Sequence, residues 1–465
     1  MFFCRILGLV ALLVVGACTP GSNPPQTAAA GAPVLPREIE REVGSAYASP
    51  PLQALVGRVG RKLAAQARIG GFRFYVIDQP LANAHALSSG HVFITRGLLA
   101  LLDDEAELAA AIGHELGHVS QRHAAERARA RRQMMEAAVE AALTSGSVTV
   151  GRSVARTGLL ALRRYSREQE LEADRVGLDY VVRAGYRGDA MASLIEKLRR
   201  QSQLEDQILG QSEDRLDQGS ALATHPAPGE RLAALHDIAA ARAPGESNRA
   251  AYMAAIDGMS VDEPPEEGFV RGTSFLHPTM RLAFTAPEGF KLFNDREGVL
   301  AMGRDRSLLY FSCNSERATG PLDDWMRDRL KPTPTDIQAI EIGGAEAAIG
   351  ARPRGSDTGL GQVRFVAIRF GDGLCAFTLS SDGPNRDRGI ERLVAAAKRF
   401  RTLSAADVAA LRPYRLRITS RSGTAAEMAA SLPYDDLRLQ RLLVLNGVDD
   451  AASFARLSEI KTVEP

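Results

Sequence analysis

The sequence predicts an α+β multidomain protein: a mainly helical domain with a small sheet, then an α+β domain, then a small module ordered strand, helix, helix, strand. The chain has 465 residues, of which 45% are hydrophobic, and this length suggests about three domains with buried cores. Apolar residues recur at helical spacing through most of the first half, whereas short runs typical of strands dominate after residue 274.

The charge balance argues against a nucleic-acid partner. Lys and Arg number 57 and Asp and Glu number 56, which gives a net charge of +1. Such a chain has no overall positive field to hold a phosphate backbone. Four cysteines in 465 residues also exclude a scaffold held together mainly by disulfides.

The N-terminus predicts export and a lipid anchor. Residues 1–17 have the early positive charge and short apolar run of a signal peptide. The sequence Val15-Gly16-Ala17-Cys18 resembles a bacterial lipobox, in which the cysteine is lipidated. An ordinary signal peptide with an incidental Cys18 is the alternative. We expect a periplasm-facing protein of the bacterial cell envelope, anchored to a membrane through Cys18, and Thr19 after the cysteine favours the outer membrane.

The following residues, 18–36, are rich in Pro, Gly and Ala and predict a disordered tether. No later segment offers 18 uncharged apolar residues in a row. We therefore expect no membrane-spanning helix in the body of the protein.

Residues 37–242 are predicted to form the helical domain. The expected elements are helices over 37–68, strands over Phe72–Ile77 and His91–Thr95, a long helix from about Glu105 to Arg132, and a helix over about Ser166–Ala184. Asp103 and Asp104 offer an N-cap to the long helix. A loop containing Gly146 and Gly151 is expected between the last two helices.

The rest of the chain divides into three predicted parts. Residues 243–274 contain several Pro and Gly and predict a linker, and residues 275–404 predict an α+β domain of unknown role. Cys313 and Cys375 fall in predicted strands of this domain. In an oxidising periplasm they could pair, and two buried free thiols are the alternative. Residues 412–465 form the last module.

The strongest chemical motif is His114-Glu115-Leu116-Gly117-His118 within the long helix. Residues i and i+4 share one helix face, so both imidazoles can reach one ion while Glu115 reaches a water on that ion. Zinc suits two neutral imidazoles plus a carboxylate, with an open fourth position for catalysis. The alternative is a chance motif or a pair of core histidines.

The spacing of other residues decides against two classes of zinc enzyme. A metzincin needs a Gly where Gln121 stands, and His123 falls one residue short of the third histidine. In a continuous helix His123 would also lie about 180° from His114, as a surface residue or an outer contact. The glutamate of a thermolysin-type site is missing, because Ala137 to Val139 occupy its place.

The next helix is dense in carboxylates and can supply the third ligand. Glu170 and Asp174 share a face at i and i+4, so Glu170 could bind the metal while Asp174 accepts the second ring N–H of a histidine ligand. A solvated charged face is the alternative.

The sequence resembles the zinc metallopeptidases grouped with HtpX, BepA and the CAAX prenyl endopeptidases. Three motifs carry the resemblance: HELGH, the RYSREQELEADRVG helix, and the later Thr224-His225-Pro226 with Arg231. The resemblance covers roughly residues 40–242. It implies a zincin-type metalloprotease domain with one Zn²⁺, in which Glu170 is the third zinc ligand and Asp174 lies behind a ligand.

The resemblance also assigns residues around the metal. It implies that the strand region containing Asn83, His91 and Phe93 holds an extended peptide by β-addition. His225 would cover the metal in a resting state or contact the reaction oxyanion, and a histidine that caps the following helix is the alternative. Arg231 would orient carboxylates.

The last module resembles a degenerate LysM module. Strands at Leu416–Ile418 and Ile460–Val463 enclose two helices, of which Ser422-Gly423-Thr424 opens the first and Leu445-Asn446-Gly447 ends the second. The resemblance implies binding to N-acetylglucosamine-containing glycans, and hence to peptidoglycan. An unrelated small α+β domain is the alternative.

These observations favour a zinc metalloendopeptidase that cleaves misfolded or stalled cell-envelope polypeptides, with Glu115 as the general base on a zinc-bound water. A second hypothesis is an envelope-assembly chaperone or wall-binding lipoprotein whose protease site is latent and gated by His225. A wall-binding protein with structural zinc is a weaker third, because a structural site has no need of Glu115.

Overall fold

The computed structural model describes residues 33–145, 147–209, 225–226, 228–314, 318–352, 362–382 and 385–465. The predicted signal peptide, Cys18 and most of the predicted tether lie outside these residues. The end of the predicted tether is packed, because Leu35 is buried beside Ile77 and Phe93. Among the described residues, no helix combines the length and apolar character needed to cross a bilayer.

The first domain is mainly helical, as predicted. Its helices are α1 (Arg37–Val43), α2 (Pro50–Ala67), α3 (Arg96–Leu101), α4 (Glu105–Ser120), α5 (His123–Ser145), α6 (Val148–Arg183), α7 (Ala190–Leu209), α8 (Pro228–His236) and α9 (Arg249–Ile256). As predicted, Asp104 caps the helix that carries the HELGH motif, since its side chain accepts a hydrogen bond from the Glu107 backbone. The apolar faces of α2, α3, α4, α6, α7, α8 and α9 contribute to one core.

A small three-stranded sheet lies beside these helices. Its strands are β1 (Arg73–Ile77), β2 (Ala84–Leu87) and β3 (His91–Thr95), in the order β1-β3-β2. The central strand β3 pairs in parallel with β1 and antiparallel with β2. No other strand of the described residues pairs with β2, which therefore forms an edge of this sheet.

Two predictions about the long helices are wrong. The helix expected over Glu105–Arg132 breaks after Ser120, because Arg122 takes a left-handed conformation with φ of 56° and a second helix starts at His123. No Gly or Pro marks this break. The expected loop through Gly151 is instead part of the helix α6. A Cβ at Gly151 would lie 2.7 Å from the Ala138 carbonyl oxygen, so the absence of a side chain there lets α5 and α6 approach closely.

The predicted linker is also structured. Tyr252, Met253 and Ile256 of α9 are buried in the core of the first domain. Arg96 donates a hydrogen bond of 2.7 Å to the Ser260 carbonyl. Proline and glycine therefore mark turns here, whereas the apolar face of α9 anchors the segment to the helices.

The second domain is rich in antiparallel sheet. Its strands are β4 (Phe269–Arg271), β5 (Ser274–His277), β6 (Leu282–Thr285), β7 (Lys291–Asn294), β8 (Val299–Met302), β9 (Ser307–Asn314), β10 (Thr335–Ile342), β11 (Ala345–Ala351), β12 (Gln362–Phe370), β13 (Gly373–Ser381) and β14 (Arg401–Thr402). They form sheets ordered β10-β11-β12-β13-β9-β8-β7 and β14-β6-β5-β4. Two helices accompany them, α10 (Leu322–Arg329) and α11 (Arg386–Ala397).

The two cysteines of this domain lie opposite each other on neighbouring strands. Cys313 of β9 is in register with Cys375 of β13, and the structure joins them by a disulfide. The bond ties the central strand β13 of the larger sheet to its neighbour β9. Cys375 lies in the hydrophobic core of this domain.

After a short helix α12 (Ala405–Ala410), the last module has the predicted order of elements with one extra helical turn. It contains β15 (Arg415–Ser420), α13 (Ala425–Ala430), α14 (Arg438–Leu445), α15 (Ala451–Phe454) and β16 (Glu459–Glu464). The two strands pair antiparallel around a small core. Thr424 forms a capping box with Glu427 at the start of α13.

This module is joined to the first domain by a buried lysine. The Lys461 ammonium donates to the carbonyls of Ala100, Leu101 and Leu102 at 2.9, 2.9 and 3.0 Å, and it lies 2.9 Å from an Asp103 carboxylate oxygen. Burial lowers the pKa of Lys461 to about 8 despite Asp103, so the side chain is still a charged donor at pH 7. The lysine thus satisfies the carbonyl end of α3, which its helix leaves unpaired.

We expect Lys461→Met to lower the free energy of unfolding by about 3 kcal/mol, because three carbonyls lose their buried donor and the Asp103 carboxylate loses one of its two buried lysine partners. Urea titration of the purified protein measures this, and Lys398→Met, at an exposed position, is the matched control. Equal midpoints for wild type and Lys461→Met would show that the module does not depend on this contact.

Candidate metal centre

The site depends on a close approach of α4 and α6. A Cβ atom on Gly177 would lie 2.7 Å from the Gly113 carbonyl carbon and 2.8 Å from the His114 backbone nitrogen. A Cβ on Gly117 would lie 2.7 Å from the Ala173 carbonyl oxygen. All three distances are shorter than a carbon atom can accept, so the two helix backbones touch where larger side chains would separate them. The candidate metal-binding residues lie beside these contacts.

Four buried or partly buried side chains converge between the helices. One ligand atom from each of His114, His118, Glu170 and His225 lies within 4.8 Å of the others. The Nε2 atom of His114 lies 3.0 Å from Nε2 of His118 and 3.3 Å from Oε2 of Glu170. His118 Nε2 lies 3.3 Å from Oε1 of Glu170. The structure therefore brings together the two histidines and the glutamate that the sequence singled out.

These separations fit a tetrahedral zinc ion. Ligand atoms about 2.0–2.1 Å from a tetrahedral metal are about 3.3 Å apart. The donor set, two imidazoles and a carboxylate, is also one that zinc prefers. Glu170 Oε1 is a buried carboxylate oxygen without a hydrogen-bond partner, as expected of an atom whose partner is a metal.

Asp174 and Arg231 form a buried pair behind His114. Oδ1 of Asp174 lies 2.8 Å from Nδ1 of His114. Arg231 donates to the same carboxylate through Nε and Nη2, each at 2.7 Å. This fork fixes the carboxylate, which in turn holds the His114 ring with Nε2 toward the cluster.

The same contacts control protonation in the metal-free site. Burial raises the pKa of Asp174, but the charge and hydrogen bonds of Arg231 outweigh it and hold the pKa at about 2. Burial lowers the pKa of His114, but hydrogen bonds to Asp174 and Glu170 outweigh it and raise the pKa to about 9. For His118, burial dominates and lowers the pKa to about 3. Asp174 is therefore a carboxylate at neutral pH and His118 is neutral.

Glu115 is buried next to the cluster without belonging to it. Its Oε1 lies 3.5 Å from Nε2 of His225, and the backbone N–H of Ala86 in β2 donates to its carboxylate. Burial raises the pKa of Glu115 above its ordinary value, against the nearby histidine charges. A carboxylate with a raised pKa beside a metal position is suited to take up a proton.

His225 lies at the fourth corner of the cluster. Its Nδ1 is 3.0 Å from Nε2 of His114 and 3.0 Å from Oε2 of Glu170. Arg231 Nη1 donates to the His225 backbone carbonyl at 3.3 Å. The side chain therefore points into the site, and the alternative of a helix-capping histidine does not describe it. The neighbouring Thr224 lies outside the described residues.

The prediction for His123 is wrong in its geometry. Because the helix breaks at Arg122, His123 does not lie on the opposite face, and it is 1% exposed with its Nδ1 2.8 Å from Nδ1 of His118.

The close contacts of Gly113 with Gly177 and of Gly117 with Ala173 were not predicted. Their spacing of four residues in both helices was the available signal.

The strand assignment for substrate needs a correction. His91 and Phe93 belong to β3, and both edges of β3 are already paired. Phe93 is fully buried. Asn83 precedes β2, and its carbonyl accepts a hydrogen bond of 3.0 Å from the Thr95 backbone. The strand edge beside Glu115 belongs to β2, so a peptide can pair there and not with His91 or Phe93.

Comparison with known proteins gives a family match for this part of the chain. Residues 50–239 match the model of Peptidase family M48. The beta-barrel assembly-enhancing protease of Yersinia pestis is 30% identical over 200 residues, which are 39% of this chain and 38% of that protein. The protein of the same name from Escherichia coli strain K12 is 29% identical over 201 residues, 40% of this chain and 38% of its own.

A mitochondrial protein is similar in sequence to a segment of comparable length. The mitochondrial metalloendopeptidase OMA1 of Schizosaccharomyces pombe is 31% identical over 188 residues, which are 39% of this chain and 51% of that protein. The match to the Yersinia pestis and Escherichia coli proteins spans 38% of their length.

We expect Gly177→Ala to separate α4 from α6, because the added Cβ meets backbone atoms that cannot turn aside. The free energy of unfolding should fall by about 2 kcal/mol, and zinc affinity, measured by chelator competition, should fall as well. Gly229→Ala is the matched control, since its Cβ would meet nothing within 4 Å. Unchanged zinc affinity in Gly177→Ala would contradict the importance of the close approach.

Proposed function

We propose that the protein is a zinc-dependent endopeptidase that cleaves misfolded or stalled proteins of the bacterial cell envelope, because residues 50–239 match the model of Peptidase family M48. The observation that carries the proposal is the convergence of His114, His118 and Glu170 around one position, with Glu115 buried beside it. Two relatives are named beta-barrel assembly-enhancing protease, which supports an envelope substrate.

In this proposal His114, His118 and Glu170 hold the zinc ion. Bound zinc supplies a Lewis acid that polarises a peptide carbonyl and makes water more acidic. Asp174 keeps the proton of His114 on Nδ1, so that Nε2 is free to bind, and Arg231 keeps Asp174 ionised. Arg231 thus acts on the reaction through Asp174.

Glu115 is the general base and then the general acid. Its raised pKa makes the carboxylate a better proton acceptor than an exposed glutamate. Glu115 takes the proton of the water that attacks the peptide carbonyl and returns it to the leaving amine, so that the carboxylate is regenerated after each cleavage.

The edge strand β2 provides the place for an extended substrate. The Ala86 backbone N–H reaches Glu115, so this edge passes the catalytic carboxylate. A polypeptide pairing with β2 would bring a backbone carbonyl to the site through main-chain hydrogen bonds, which make few demands on side chains. Such binding suits a protease that acts on unfolded segments of varied sequence.

The position of His225 favours a second candidate, an envelope-assembly chaperone with a largely latent protease site. Its imidazole is at the fourth corner of the cluster, where an attacking water would have to bind. In this version the His225 side chain must move away from the cluster before cleavage. Protease and chaperone activity then differ by the population of the state in which His225 has moved away.

The surroundings of the catalytic domain extend the proposal. Cys18 would tether the protein to the membrane, with the catalytic domain facing the periplasm and the outer membrane as its expected location. The predicted peptidoglycan contact would use the last module. Because Lys461 joins that module to the first domain, wall binding would also fix the position of the active site relative to the wall.

We expect Glu115→Gln to lower kcat/KM on unfolded casein by about 10²–10⁴-fold, because the proton acceptor is lost. Zinc content, measured by mass spectrometry, and the melting temperature should stay at wild-type values. The exposed Glu136 provides the control Glu136→Gln. A fully active Glu115→Gln protein would refute the assigned mechanism.

We expect His225→Ala to raise casein cleavage by about tenfold, the gain expected when the open state is about one tenth populated in the wild type. His236→Ala, at a surface histidine, should leave the rate unchanged, and a chelator should abolish cleavage in every variant. A loss of activity as large as that of Glu115→Gln would instead assign His225 a direct part in the reaction.

A further inference from the structure

His123 is a buried histidine that the proposed mechanism does not use. It is 1% exposed and occupies the first position of α5. The left-handed turn at Arg122 directs the chain back toward the end of α4, so the ring of His123 meets the ring of His118 edge to face, with centroids 5.0 Å apart and planes at 75°.

Two polar contacts place both nitrogens of this ring. Nδ1 of His123 lies 2.8 Å from Nδ1 of His118. On the other side, Nε2 of His123 lies 3.3 Å from Oε2 of Glu172, which is half exposed. A further hydrogen bond joins α5 and α6, in which Gln169 of α6 donates to Glu126 of α5 at 3.3 Å.

The direction of the hydrogen bond between the histidines follows from metal binding. Nε2 of His118 faces Glu170 and His114, so it is the atom that must offer a lone pair to the ion. The neutral ring then carries its proton on Nδ1, and that proton points at Nδ1 of His123. His123 can accept it only if its own proton is on Nε2, where the Glu172 carboxylate accepts it in turn.

We infer that His123 is a positioning residue for the zinc ligand His118, which it holds in the tautomer and ring orientation that binds the ion. The inference rests on the proposed function, since it requires zinc at His114, His118 and Glu170. His123 does for His118 what Asp174 does for His114. The two histidine ligands therefore have different outer partners, a neutral imidazole for one and a carboxylate for the other.

The first test is zinc affinity, measured by competition with a chromophoric chelator. His123→Ala is expected to weaken binding by about 10–100-fold, the usual effect of losing such a partner. His123→Asn, whose amide oxygen can accept the same proton, is expected to recover most of that loss. Tyr180→Phe is the control, because it removes a 3.1 Å hydrogen bond from α6 to Ser120 at the end of α4 without touching a ligand.

The outcomes separate this inference from the proposed function. If wild type binds one zinc tightly and His123→Ala binds it equally well, the positioning role is overturned while the protease proposal stands. If His123→Ala and His123→Asn lose affinity equally, the role of the accepted proton is overturned. If wild type binds no zinc, both proposals fail. The melting temperature of each metal-free variant shows whether a loss reflects unfolding.

A second measurement needs no substitution. In zinc-loaded protein with ¹⁵N-labelled histidine, NMR should show His118 protonated on Nδ1 and His123 protonated on Nε2 only. A proton on Nδ1 of His123 would overturn the inference, because two N–H groups cannot share one hydrogen bond.

Discussion

The contact between the backbones of α4 and α6 is the constraint on which the site depends. Gly113 faces Gly177, and Gly117 faces Ala173, so the helices are closer than side chains of ordinary size allow. Short carboxylate side chains on one helix can then reach imidazoles on the other. Since each contact lies within one helical turn of a metal-binding side chain, loss of the close packing would move every ligand pair at once.

Around this contact, each of the two histidines His114 and His118 is held by groups from a different part of the chain. Asp174 and Arg231 hold His114 from α6 and α8, and His123 lies against His118 from the start of α5. Because all these groups are buried, their hydrogen bonds are strong and an unpaired member would be costly. The result is a cluster whose imidazole rings are held in fixed orientations, with His225 at its fourth corner.

The last module of the chain also packs against the first domain. Lys461, at the end of the chain, satisfies the carbonyls that end α3 just before the HELGH helix begins. Leu416 of β15 enters the core of the first domain. The last module and the first domain are therefore distinct in secondary structure but continuous in packing.

The sequence by itself indicated most helices and strands and the candidate residues of the site, because periodicity and the HExxH spacing are local properties. It missed the break at Arg122, which has no Gly or Pro, and the anchoring of α9 by Tyr252 and Met253, where nearby prolines suggested a linker. Only the tertiary structure decided that His123 meets His118, that β2 and not β3 offers its edge, and that Lys461 reaches α3. These contacts join residues far apart in the chain or across a turn, so no local pattern in the sequence encodes them.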